Sequence, residues 1–175
     1  MNKRILTSVA LIGVLALSAC TNPARFGGAD AGANAGLSGT ANGGIVPGSA
    51  NDPTSTAYFQ QAIGDRVLFA VDQATLTPEG RATLDGQATW LLTNSDYQAV
   101  IEGHADEQGT REYNLALGAR RANAAQEYLI SKGVPAQRLR VVSYGKERPI
   151  EVCSEEACYA KNRRAVTVLA GGLTS

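Results

Sequence analysis

Between Arg66 and Leu169 the spacing of apolar residues switches repeatedly between two periods, and this alternation limits the fold more than any other feature of the chain. Arg66-Val67-Leu68-Phe69-Ala70 reads as a short strand. Thr77-Pro78 opens a helix, because Thr77 offers a side-chain oxygen to unpaired N–H groups and Pro78 suits the first helical position. Leu84, Ala88 and Leu91 then fall on one face. Tyr97 to Glu102 alternates as a strand. A second helix is expected from about Thr110 to Lys132, stopped by Gly133-Val134-Pro135. Leu139 to Tyr144 and Ala165 to Leu169 supply two more strands, with a loop and a helical turn between them. The order β-α-β-α-β-(α)-β predicts an α/β fold: a two-layer α+β sandwich with one mixed sheet covered on one face by helices. Neighbouring strands joined through a helix are expected to run parallel.

The chain before this region has no such pattern. From Thr21 to Asp52 it is Gly, Ala, Asn and Ser with scattered Pro, and only Arg25, Asp30 and Asp52 are charged. So little apolar surface cannot offset the entropy of ordering, so a flexible linker is expected. Roughly 30 residues of this kind span about 30 Å on average and about 100 Å at full stretch. Ahead of it, Lys3 and Arg4 precede an apolar run from Ile5 to Leu17, too short to cross a bilayer comfortably. Leu17-Ser18-Ala19-Cys20 resembles the lipobox of bacterial lipoproteins, in which the cysteine is lipidated and becomes the mature N-terminus. The alternative is a plain secretory signal followed by a chance cysteine. The expected division is a signal peptide over 1–19, a lipidated Cys20 with its tether over 20–55, and a folded domain over 56–172. Several acyl chains, at about 0.8 kcal/mol per buried methylene, would make such anchoring effectively permanent. Thr21, which is not the Asp associated with inner-membrane retention in enteric bacteria, fits delivery to the outer membrane.

Basic and acidic side chains number 16 each. Nucleic-acid binders carry a basic excess, so that class is not expected. His104 is the only histidine and has no second His or Cys at ligand spacing, so no metal site is expected and His104 reads as a structural loop residue.

The second helix carries a puzzle. With residues about 100° apart, Tyr113, Leu117, Ala124 and Tyr128 share an apolar arc with Gly118, Ala122, Ala125 and Leu129. Arg121 and Asn114 fall in the middle of that arc. An unpaired buried guanidinium costs several kcal/mol, so Arg121 needs a carboxylate from the protein or a ligand, or must reach the rim. The polar turn Gly103-His104-Ala105-Asp106-Glu107-Gln108-Gly109-Thr110 lies at the carboxyl end of a strand, a usual ligand position in open α/β sheets. Asp106 is an acceptor there, and free N–H groups at the helix start favour anionic ligand groups.

The stretch from Gly103 to Ala122, with Ser143-Tyr144-Gly145-Lys146-Glu147-Arg148-Pro149 and Asn162-Arg163-Arg164-Ala165-Val166 following in order, resembles the signature of OmpA-like peptidoglycan-binding domains, most closely the lipid-anchored members of the Tol-Pal system. The resemblance implies a ligand, the meso-diaminopimelate side chain of peptidoglycan, which ends in an ammonium and a carboxylate on one carbon. It places Asp106 on the ammonium and Arg121 on the carboxylate, with Asn114 adding a hydrogen bond. Asp72, Phe69, Leu117 and Gly109 are expected around the same groove, although Ala70 stands where such sequences commonly carry an acid. The resemblance further implies an outer-membrane lipoprotein facing the periplasm that ties the membrane to the wall, supports envelope integrity and constriction at division, and has TolB as a protein partner. No cofactor and no catalysis are expected, since no activated nucleophile accompanies His104, Asp106 and Glu107. A scaffold acting mainly through TolB is the alternative, with a peptidoglycan-modifying enzyme further behind. In an oxidising periplasm Cys153 and Cys158 are expected to pair locally; a redox or metal role is the other reading.

Overall fold

A computed structural model describes residues 45–171. The signal peptide over 1–19, Cys20, most of the expected tether and residue 172 lie outside the described residues. Among the described residues no helix is long and apolar enough to cross a membrane.

The elements follow the sequence pattern closely. A short helix α1 (Thr56–Tyr58) runs into a π-helical turn (Phe59–Gly64). Strand β1 (Arg66–Leu68), helix α2 (Pro78–Thr93), strand β2 (Tyr97–His104), helix α3 (Arg111–Ser131), strand β3 (Leu139–Gly145), helix α4 (Glu156–Asn162) and strand β4 (Arg164–Gly171) complete the order. Thr77 accepts from Gly80 N at 3.0 Å and Thr110 from Tyr113 N at 3.2 Å, so both long helices begin at their capping residue. Gly133, with φ of 100°, ends α3 in the left-handed region, and Val134 N returns to Leu129 O at 3.1 Å.

The sheet order is β1-β4-β2-β3. β2 and β3, joined through α3, pair in parallel as expected. β1 and β2, joined through α2, are not neighbours: β4 enters between them, antiparallel to both. Parallel pairing across the first helical connection therefore does not occur. Ala99 and Ile101 on β2 are buried in one core with Leu84 and Leu91 of α2 and Ala122, Ala125 and Leu129 of α3. Val142 and Val168, of opposite parity on their strands, remain exposed.

Two glycines set the distance between helix and sheet. A Cβ on Gly103 would collide with the Gly118 carbonyl, and one on Gly118 would lie 2.8 Å from the Gly103 carbonyl. Main chain thus meets main chain where α3 crosses β2. Gly118 is needed for this approach.

The packed structure begins ahead of the Thr56 boundary read from the sequence. Trp90 Nε1 donates to Pro53 O at 2.7 Å and Tyr97 OH to Thr54 O at 3.0 Å. Ser55 is buried, donates to Ser49 O at 2.6 Å and caps α1. The last residues assigned to the tether are therefore part of the domain.

Candidate ligand-binding site

The Ala105–Thr110 turn leaves the carboxyl end of β2 and is fastened on several sides. Ala105 N bonds Gly145 O at 2.8 Å, Asn114 Nδ2 donates to Gln108 O at 2.6 Å, and Lys146 Nζ donates to Gly109 O at 2.6 Å. Gly109 has φ of 87°, a conformation glycine adopts without strain. Asp106 is buried; its Oδ1 accepts from Gln108 N at 3.3 Å and its Oδ2 from Arg163 Nη1 at 3.1 Å.

Beside the turn lies an open cleft of about 300 Å³, lined by Val71, Asp72, Asp106, Gln108, Gly109, Tyr113, Asn114 and Leu117. Five of the sequence-derived site residues are thus brought together: Asp106, Asn114, Asp72, Leu117 and Gly109. Asp72 holds a left-handed φ of 56°, and Tyr113 OH donates to its carboxylate. That bond raises the Tyr113 pKa. An unusual backbone angle held beside a cleft is common at functional sites.

Arg121 and Phe69 are placed differently. Arg121 is 0% exposed and does not line the cleft. It neither pairs with an acid by direct hydrogen bond nor reaches the rim. Nε donates to Gln73 O at 2.8 Å, Nη1 to His104 O at 2.9 Å and Nη2 to Ala70 O at 3.2 Å. Its guanidinium lies 5.3 Å from the centre of the Phe69 ring, which is itself buried. The cation therefore pins the 70–73 loop to the end of β2. Burial pulls its pKa down to about 10; Asp106 works against that shift, Arg163 adds to it, and Asp72 and Tyr113 oppose it. The bonds of Arg121 to the carbonyls of Ala70, Gln73 and His104 set the charge beside the two segments that carry Asp72 and Asp106.

His104 sits at the end of strand β2, not in a loop. It is buried against Tyr144, with ring centres 5.6 Å apart. Burial first, then Arg164 and Arg148, lower its pKa to about 4, so it is neutral at pH 7.

Arg163 holds the site but received no role from the sequence. It is buried between Asp106, Phe69 O at 3.2 Å and Glu156. Burial acts to lower its pKa, and the bonds to Glu156 and Asp106 outweigh it and raise the value. Its signal was a doubled arginine opening an apolar strand, since a charge there demands an acid. Cys153 and Cys158 form a disulfide with Cα atoms 6.0 Å apart.

The OmpA family's sequence profile matches residues 68–163. The chain is 47% identical over 163 residues to the peptidoglycan-associated lipoprotein of Rhizobium meliloti (strain 1021), covering 93% of this chain and 86% of that one. It is 48% identical over 163 residues to the protein of that name from Mesorhizobium japonicum, covering 93% and 90%. Its structure resembles the crystal structure of the peptidoglycan-associated lipoprotein from Burkholderia pseudomallei, with a TM-score of 0.62, 36% identity, and coverage of 69% of this chain and 98% of that one.

Proposed function

The chain belongs to the OmpA family, and from that membership and its cleft we propose that it binds peptidoglycan non-covalently and anchors the cell envelope. The ligand group is the side-chain terminus of meso-diaminopimelate. Its ammonium is accepted by Asp106, with Asp72 as a second carboxylate on the same cleft. Its carboxylate is attracted through space by the charge of Arg121, which is fully buried, donates to the carbonyls of Gln73, His104 and Ala70, and does not itself line the cleft. Asn114, oriented by Gln108 O, offers a further polar contact, and Leu117 lies along the methylenes. The observation that carries this reading is the pairing of two carboxylates on one cleft with a buried guanidinium bonded to the main chain next to the segments that bear them. Such an arrangement suits a zwitterion better than a simple cation or anion.

Cys20 supplies the lipid anchor in the outer membrane after removal of 1–19, and the segment after it serves as the tether to a periplasmic domain. TolB and the rest of the Tol machinery are its protein partners, in envelope integrity and constriction. The reading is of a binding protein, in keeping with relatives named peptidoglycan-associated lipoproteins.

Co-sedimentation with purified sacculi tests the proposal. The chain is expected to sediment with walls built on diaminopimelate and to stay in solution with walls built on lysine, which lack the second carboxylate. Equal sedimentation with both would overturn it.

A further inference from the structure

The loop and helix behind the cleft carry a disulfide that peptidoglycan binding does not explain. We propose that the Cys153–Cys158 disulfide is a redox-sensitive latch on the cleft, holding helix α4 so that Glu156 shares Arg163 with Asp106; the proposal rests on the peptidoglycan reading above.

Helix α4 has seven residues, and its N-cap, Glu155, makes no side-chain capping bond. Helices this short do not hold by themselves. The bridge from Cys158 back to Cys153 fastens the first turn to the preceding loop. Glu156, in that turn, accepts from Arg163 Nη2, while Arg163 Nη1 donates to Asp106 at 3.1 Å. At the other end, Asn162 Nδ2 donates to Glu107 Oε1 at 2.6 Å. Both ends of α4 therefore reach the two residues that form the cleft's acidic turn.

Both cysteines are half-buried, with exposed Val152, Ser154 and Glu155 around them, so a dithiol reductant has access. The dithiol gives two electrons and two protons to the Cys153–Cys158 bond; that bond breaks to two thiols, and the reductant leaves as its own disulfide. The first turn of α4 then frays and Glu156 leaves Arg163. The fork of Arg163 turns wholly onto Asp106 and competes there with the ligand's ammonium. The reduced chain holds the ligand more weakly, and reoxidation restores it.

The test is titration of the full chain with a stem peptide containing meso-diaminopimelate, before reduction by dithiothreitol, after it, and after reoxidation. Reduction is expected to weaken binding by about three- to fivefold, the range of one partly exposed charge pair. Glu156→Gln, with the disulfide intact, should show the same loss and no further response to reductant. Cys153→Ser/Cys158→Ser should bind like the reduced chain and ignore reductant. Equal affinity of the oxidised and reduced chains overturns the latch. Should circular dichroism show that reduction unfolds the domain, Glu156→Gln decides alone, and unchanged affinity in it also overturns the latch. No binding by the oxidised chain, or no loss in Asp106→Asn, instead overturns the peptidoglycan reading itself.

Discussion

Replacing Arg121 with methionine should damage the fold as well as the site, and the structure sets the scale. Methionine keeps much of the apolar stem, so the change removes chiefly the guanidinium. Three hydrogen bonds to the carbonyls of Ala70, Gln73 and His104 are lost. Bonds to a charged donor contribute about 1.5–3 kcal/mol each. Against this stands the relief of burying a cation: a pKa pulled from the ordinary guanidinium range down to about 10 corresponds to about 3 kcal/mol at about 1.4 kcal/mol per tenfold change. The Ala70 carbonyl also keeps its bond from Gln73 N, which limits the loss. The net expectation is a destabilisation of about 2–5 kcal/mol, a large share of the stability of an ordinary domain. Urea unfolding followed by circular dichroism should place the Arg121→Met midpoint about 1–2 M below wild type. Arg121→Lys, which retains the charge without the fork, should fall between them. A stability for Arg121→Met within about 1 kcal/mol of wild type would refute the structural role of the three bonds.

Other perturbations follow from single features. His104 has a folded pKa of about 4 against an ordinary 6.5, so the unfolded chain binds the extra proton first; stability falls as pH drops from about 6.5 to 4, by up to about 3 kcal/mol. Subtracting the pH profile of His104→Gln from that of wild type should isolate this loss, and parallel profiles would contradict it. Gly103→Ala and Gly118→Ala force a methyl into main chain and should each cost about 1–3 kcal/mol or prevent folding; thermal melts at wild-type level would contradict the close contact. Tyr113→Phe removes the hydroxyl that donates to Asp72 from an exposed ring; stability should change by less than about 1 kcal/mol, and sacculus binding should weaken if Asp72 is held for the ligand.

The limits of long elements were legible because the signals are local. Thr77-Pro78, Thr110 and Gly133 act within one helical turn of themselves, and the structure uses each where the sequence places it. The position of β4 between β1 and β2 was not legible, since period along a strand carries no information about its neighbours. Arg121 was rightly singled out as a charge on an apolar arc. Its partners, however, are carbonyls of residues 70, 73 and 104, and main-chain acceptors leave no trace in composition. For the same reason Pro53 and Thr54 read as tether: what fixes them is Trp90 and Tyr97, about 40 positions later. Arg163 escaped because Asp106 and Glu156, the acids that hold it, stand on different elements.

The most direct measurement is the dissociation constant of wild type and Asp106→Asn for two matched stem peptides, one with meso-diaminopimelate and one with lysine at the same position. A cleft that reads both charges of the terminus predicts tight binding of wild type to the first peptide only. It also predicts that Asp106→Asn loses about 2–3 kcal/mol of that affinity, roughly 30- to 150-fold. Comparable constants for the two peptides, or an unaltered constant in Asp106→Asn, would contradict it.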